Sequence, residues 1–191
     1  MPAQDYALFD TPVGRCGVAW SAHGITGVQL PERTVSATRA RILRRCPNAI
    51  ETSPPDHIQR VIDDITRLLR GERRDLSAVA LDMGGVPEFN QRVYAVARTC
   101  PAGATTSYGE IATRLGDSSA ARDVGEAMGR NPFPIIVPCH RVLAAGGKLG
   151  GFSAAGGVTT KLHLLQIEGA QVGEAPTLFD SLPLATKPRR R

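Results

Sequence analysis

The stretch that decides the fold is Asn131-Pro132-Phe133-Pro134-Ile135-Ile136-Val137-Pro138-Cys139-His140-Arg141-Val142. It places a thiol directly beside an imidazole, after an apolar run that predicts a strand and behind a proline that fixes the backbone. A cysteine attacks only as its thiolate, and a neighbouring base or cation is the usual means of forming one. Cys139 is therefore a candidate nucleophile, and a buried structural cysteine is the alternative.

Upstream of this stretch, the sequence predicts two short helices separated by a glycine-containing turn. A capping-box pattern at Ser107 opens a helix over 108–115, and a second helix follows over 118–128. Such a pair is typical of a helix-turn-helix. Ala121 and Gly125 make the second helix small on one side, which suits close approach either to nucleic acid or to another helix.

The first 85 residues mix strand and helix patterns. Two apolar runs around a glycine turn predict a β-hairpin over 14–30, and an Ala- and Arg-rich segment predicts a helix over 34–45. The clearest helix runs from Asp56 to Arg70, because its apolar residues recur at helical spacing and Gly71 follows at the C-cap. A further strand is predicted over 78–81.

The second half also begins and ends with helices. Segments 88–99 and 161–168 have helical patterns, and the glycines of 146–157 predict a hairpin that would act as a wing beside the cysteine strand. The best domain boundary is Gly84-Gly85-Val86-Pro87. We therefore expect domains over 1–85 and 86–170, followed by a disordered basic tail over 171–191.

Composition narrows the class of protein. The chain has 191 residues, is 42% apolar and carries a formal net charge of +5, which suits a polyanionic partner. Its four cysteines are scattered, with neither the density of a disulfide framework nor the spacing of a zinc site. The first residues resemble no export signal, and no apolar run is long enough for a membrane span. We therefore expect a cytoplasmic protein with reduced thiols.

Residues 87–170 resemble the O6-alkylguanine-DNA alkyltransferases, also called methylated-DNA–protein-cysteine methyltransferases. The family pattern NPxPxxVPCHRV is matched without a break by residues 131–142, and SYGEIA at 107–112, GGFS at 150–153 and LLQIEG at 164–169 accompany it. The resemblance implies an α/β plus α+β fold: a ribonuclease-H-like α/β domain without nuclease activity, then a winged helix-turn-helix domain. Over the first 85 residues the resemblance is weak.

The resemblance also implies a reaction. The alkyl group of O6-alkylguanine in double-stranded DNA, and of O4-alkylthymine, would pass once to Cys139, with no cofactor and with the protein acting as a monomer. Cys139, a water, His140 and Glu168 would form the chain that activates the thiol. Some members bind zinc, but Cys16 and Cys46 with the nearby histidines do not reproduce that pattern, so no metal is expected.

Further roles follow from the resemblance, residue by residue. Arg122 would fill the space left in the base stack, Tyr108 would rotate the 3′ phosphate and donate to the base, and Asn131 would brace the helix-turn-helix against the cysteine strand. The remaining DNA- or base-binding residues would be Ala121, Gly125, Phe152 and Ser153. Phe152 replaces a tyrosine found in many members, so one possible hydrogen bond to the base is missing.

Three other functions are open to a chain of this kind. An alkyltransferase-like protein would bind lesions without chemistry, but such proteins replace the reactive cysteine that is present here. A winged-helix DNA-binding regulator would not need Pro138, His140 and Glu168 together. A Cys–His hydrolase would need an oxyanion hole, and no sequence feature indicates one.

Overall fold

The computed structural model describes residues 4–171, and its first half is built on a four-stranded sheet in the order β3-β2-β1-β4. The strands are β1 (Asp5–Thr11), β2 (Gly14–Ser21), β3 (Gly24–Gln29) and β4 (Ile50–Glu51). The predicted hairpin is confirmed as the antiparallel pair β2–β3. The edge pair β1–β4 is parallel, and β1 was not predicted.

Two helices accompany this sheet. Helix α1 is Val35–Arg45, and its N-terminus is capped by Thr34, whose hydroxyl accepts from the Ala37 amide at 3.1 Å. Helix α2 is Asp56–Leu68, and the predicted apolar stripe is its buried face. The strand predicted over 78–81 is wrong: only Leu81 pairs, in an isolated bridge to Ile25.

The second half is mostly helical, with one small parallel sheet. Its elements are α3 (Glu88–Ala97), β5 (Thr106–Ser107), α4 (Tyr108–Arg114), α5 (Ala121–Gly129), β6 (Val142–Leu143) and α6 (Val158–Ile167). The capping box of Ser107 and Glu110 is confirmed, with both reciprocal bonds present. Residues 118–120 form a 3₁₀ turn, so the second helix of the pair begins three residues later than predicted.

Two predictions around Cys139 are wrong. No strand leads to it: Ile135 has φ +76°, and Cys139–Arg141 is a 3₁₀ turn. Pro134 and Pro138 donate no amide, which weakens any ladder here. The glycine-rich segment 144–157 forms no hairpin either: it holds a short 3₁₀ turn and otherwise irregular backbone, because several of its glycines adopt positive φ.

One buried apolar cluster contains residues of both halves, among them Val18 and Ile25 with Val93 and Ile136. The halves are also joined at Pro132, whose carbonyl accepts from the Val28 amide at 2.8 Å and from Arg45 Nη1 at 3.0 Å. The N-terminal half thus holds the segment that leads to Cys139. No helix of residues 4–171 is both long and apolar enough to cross a membrane. Residues 172–191, nearly all of the predicted tail, lie outside the described residues.

Candidate active site

Cys139 lies at a cavity of about 420 Å³ whose walls come from three separate segments. Tyr108 begins α4, Gly125 belongs to α5, and Phe152 and Ser153 lie in the irregular segment after β6. The Cys139 residue is 6% exposed. A Cβ built on Gly125 would meet no atom within 4 Å, so this part of α5 leaves space in front of the thiol. The structure therefore brings together five of the predicted site residues.

Behind the thiol, His140, Arg141 and Glu168 form a buried charged cluster. The His140 ring donates from Nε2 to Glu168 Oε1 at 2.9 Å. Arg141 donates to both carboxylate oxygens at 2.8 Å, in the two-pronged geometry that makes strong ion pairs, and its Nη1 donates to the Cys100 carbonyl at 2.6 Å. Glu168, predicted from the sequence, is thus held by one cation, Arg141, and by the His140 imidazole of the same turn.

This cluster sets the protonation states. Burial alone would raise the Glu168 pKa, but the hydrogen bonds from His140 and Arg141 outweigh it and lower the pKa to about 2. Burial lowers the pKa of His140, and Glu168 partly opposes that shift. Since the ionised carboxylate can only accept, the Nε2 of His140 carries the hydrogen. In the neutral ring Nδ1 then has a free lone pair, and within the described residues it has no protein partner.

The thiol itself is held in its neutral form by its surroundings. Burial raises the pKa of Cys139, while the Asn131 side chain and the charge of Lys161 lower it. Lys161 on α6 is fully buried and donates from Nζ to the Val142 carbonyl at 2.6 Å. Burial lowers the pKa of Lys161 to about 8, against the opposing effect of Cys139. A buried thiol of this kind needs a base to ionise it.

Asn131 joins the end of α5 to the segment in front of Cys139. Its backbone amide donates to the Met128 carbonyl at 3.3 Å, and its side-chain Nδ2 donates to the Val137 carbonyl at 2.8 Å. Its Oδ1 accepts from the Phe133 amide at 2.9 Å. The Asn131 side chain thus holds together the irregular loop 131–137, where the sequence predicted a strand.

Comparison with known proteins identifies the relatives of this chain. The family model described as "6-O-methylguanine DNA methyltransferase, DNA binding domain" matches residues 88–170. A curated protein named methylated-DNA–protein-cysteine methyltransferase, from Mycobacterium bovis, is 37% identical over 175 residues, which are 92% of this chain and 98% of that protein. This chain belongs to the methylated-DNA–protein-cysteine methyltransferase family.

Solved structures agree with this membership over nearly the whole chain. The Mycobacterium tuberculosis O6-methylguanine methyltransferase superposes with a TM-score of 0.69 at 35% identity, covering 93% of this chain and 99% of that one. A structure of M. tuberculosis OGT in complex with DNA gives a TM-score of 0.70 at 35% identity, covering 89% and 96%. The mixed α/β architecture is therefore that of the family.

The other residues singled out from the sequence lie outside the cavity wall. Arg122 is exposed in the first turn of α5, next to half-buried Ala121 and exposed Asp123. His140 and Glu168 lie behind the thiol, and Asn131 lines a small cleft of about 40 Å³ that also reaches Cys139. The family motif thus divides into side chains that face the cavity and side chains that support the turn.

Two residues near Cys139 were not among the site residues predicted from the sequence. Arg141 stands inside the family motif, and its position beside His140 was the available signal. Lys161 gave no signal, because a lysine on a helix is usually a solvated charge. Within residues 4–171, no group of three or more His, Cys, Asp and Glu side chains is arranged to hold a metal ion.

Proposed function

We propose that this protein repairs DNA by moving the alkyl group of O6-alkylguanine in double-stranded DNA to Cys139, once per protein molecule. The observation that carries the proposal is the position of Cys139 between an open cavity and the buried His140–Glu168 pair, 2.9 Å apart. The cavity admits a base, and the pair supplies a proton acceptor. A thioether has no good leaving group, so the thiol is not regenerated.

The chemistry balances with the side chains present. His140 Nδ1 takes the thiol proton through one bridging water, and Glu168 stabilises the resulting imidazolium. The thiolate sulfur then attacks the alkyl carbon, a carbon–sulfur bond forms, and the carbon–oxygen bond breaks with its electron pair on the base. The Tyr108 hydroxyl, whose side chain lines the cavity, donates a hydrogen bond to the base as it leaves, and the proton held by His140 returns through water to that base, which is released as unmodified guanine.

A base inside a duplex cannot reach Cys139, so the nucleotide must leave the stack, at a cost of a few kcal/mol. Arg122 is exposed on α5, where a long cation can enter the vacated space. Gly125 and the half-buried Ala121 give α5 small side chains on this side, which suits close contact with a groove of the DNA duplex. Sequence-independent contacts fit a lesion that arises anywhere in DNA.

Phe152 and Ser153 form the part of the wall that sets substrate preference. Phenylalanine contacts the base through its ring and offers no hydroxyl, so we infer that discrimination between O6-alkylguanine and O4-alkylthymine depends less on hydrogen bonds at this position. The hydroxyl of Ser153, which is exposed, is available to the base or its phosphate.

The finer domain assignment is part of the same proposal. A ribonuclease-H-like supporting domain over 1–85 is supported by the sheet with α1 and α2. A winged helix-turn-helix domain over 86–170 is supported by the pair α4–α5, of which α4 is capped by Ser107. The wing would here be the irregular segment 144–157. We further propose that the protein works as a monomer in the cytoplasm and needs no cofactor.

The test is incubation with duplex DNA carrying a radiolabelled O6-methyl group, followed by peptide mapping. We expect label on the peptide that contains Cys139, with a plateau at one methyl group per active chain. Continued release of product beyond that plateau would contradict single-turnover transfer. DNA binding without any label would instead favour a lesion-binding protein.

A further inference from the structure

A second and larger cavity, of about 690 Å³, shares no lining residue with the Cys139 cavity. Its walls are the loop 73–77, the turn 98–102 after α3, the Ile135–Ile136 pair and the Arg141 side chain. The alkyl-transfer reaction uses none of the loop or the turn. A volume of this size lies within the range of about 300–1,000 Å³ that is usual for small-molecule sites.

The cavity carries an excess of positive charge. Four arginines and one aspartate line it, and two of the arginines are already neutralised: Arg141 by Glu168, and Arg74 by Glu72 at 2.8 Å and Asp64 at 3.8 Å. Within the described residues no carboxylate lies within 4 Å of the guanidinium groups of Arg73 or Arg98. Asp75 in the same wall acts on Arg98 through its charge, so Arg73 and Arg98 together keep a smaller net positive charge at the rim, which attracts an anion.

Arg98 also has an unused donor. Its Nη2 donates to the carbonyls of Leu76 and Val79, at 3.0 and 2.7 Å, which fixes the guanidinium plane. Its Nε is buried and has no partner among the described residues. A guanidinium that is held in place with unused donors is well suited to phosphate, which accepts in two-pronged geometry.

The remaining wall is apolar. Leu76 and the pair Ile135–Ile136 are buried, and Pro101 and Ala102 complete this side. A bare phosphate would leave that surface in contact with water. A ligand with both a phosphate and a flat, weakly polar body satisfies the arginines and the apolar wall together.

We propose that this cavity binds a nucleotide, with its phosphate on Arg73 and Arg98 and its base against the apolar wall. Two sources share this chemistry: a free mononucleotide, and a nucleotide of single-stranded DNA. The site is independent of alkyl transfer, because it contains no residue that touches the reacting atoms. If no nucleotide binds in this cavity, the proposed repair reaction is unaffected.

The experiment is calorimetric titration of the full chain with AMP in the presence of saturating unmodified duplex DNA, which occupies the surface of α5. We expect saturable binding with a Kd below about 1 mM. Arg73→Gln, an exposed position, and Ala102→Trp, which fills the cavity without changing charge, should each weaken AMP at least about tenfold. Arg70→Gln is the matched control, since Arg70 is exposed and does not line the cavity, and it should bind AMP as the parent does.

Arg98→Gln removes the second cation and should also weaken AMP binding. Circular dichroism shows whether that variant is folded. Inorganic phosphate and adenosine, titrated separately, should each bind more weakly than AMP. A short single-stranded oligonucleotide that binds more tightly than AMP identifies a DNA strand as the source, and the reverse order identifies a free nucleotide. Absence of saturable binding of both AMP and oligonucleotide overturns the proposal, as does binding that Arg73→Gln and Ala102→Trp leave unchanged.

Discussion

Cys16 and Cys139 are both buried thiols, but their surroundings differ. Cys16 lies on β2, is 1% exposed, and its only side-chain hydrogen-bond partner among the described residues is the Thr11 hydroxyl at 3.6 Å. Burial raises its pKa to about 11. Cys139 is buried almost as deeply, yet it adjoins a cavity, and His140 and Lys161 lie near it. Burial alone gives an inert thiol, and polar groups from distant segments make the difference.

The largest effect on methyl transfer should come from replacing Cys139 with alanine, and the same replacement at Cys16 is the matched control. Cys139→Ala should abolish methyl transfer, because no other thiol faces the cavity, while duplex binding persists. Cys16→Ala should transfer at the parent rate, although the lost packing lowers the free energy of unfolding by about 1 kcal/mol. Transfer is measured as radiolabel on protein, and binding by gel shift. Residual transfer in Cys139→Ala would show that the wrong thiol has been chosen.

Removing Glu168 should make Cys139 resemble Cys16. Glu168→Gln cannot stabilise the His140 cation, so the single-turnover rate with O6-benzylguanine should fall about 10²-fold, the usual scale for acid–base catalysis. Glu72→Gln is the matched control, because Glu72 forms an exposed ion pair with Arg74. Equal rates in Glu168→Gln and the parent would mean that the thiol ionises without the His140 pair.

The same variant tests the low pKa of Glu168. That pKa lies below its ordinary 4.5, at about 2, so its contribution to stability is present above pH 4.5 and is lost as the pH falls toward 2. The shift corresponds to about 3 kcal/mol. In urea unfolding, Glu168→Gln should therefore be clearly less stable than the parent at pH 7, with a smaller difference at pH 3. If the difference in unfolding free energy between the parent and Glu168→Gln is the same at pH 7 and pH 3, the effect comes from packing.

Arg122→Ala should slow the entry of a base from duplex DNA into the Cys139 cavity without changing the reactivity of the Cys139 thiol. Repair of duplex should slow by about tenfold, since extrusion costs a few kcal/mol and the arginine offsets part of it. Reaction with free O6-benzylguanine should be unchanged, because a free base has no stack to leave. Arg15→Ala, exposed on β2 in the other half, is the control for net charge. Equal losses on both substrates would assign Arg122 to the chemistry or to folding.

The smallest effect should come from Lys161, the remaining cation near the thiol. Lys161→Met should slow the reaction with O6-benzylguanine several-fold at pH 7, because a nearby positive charge stabilises the thiolate. Since the Lys161 pKa is about 8, the lysine loses its charge above that pH, and the two rates should converge at pH 9. Lys148→Met, at an exposed position, should match the parent throughout. If the rates of the parent and Lys161→Met still differ at pH 9, Lys161 has a structural role.

Predictions from sequence were accurate where the pattern is local. The hairpin β2–β3, helices α1 and α2, and the Ser107 capping box all depend on residues a few positions apart, and the structure has them. Strand β1 was missed because its seven residues include two aspartates and pair partly with β4, more than 40 positions away. The strand expected before Cys139 failed because Ile135 takes a left-handed conformation that no local propensity predicts.

By itself, the sequence determined the family, the candidate thiol and the identity of most side chains at the cavity, because an unbroken motif specifies residue types. Tertiary structure alone decided what these residues can do. Glu168 meets Arg141, 27 positions away, and Lys161 is buried on α6 beside the segment of Cys139. Charge and pKa depend on distance and burial, and the chain acquires both only when its two halves pack into one core.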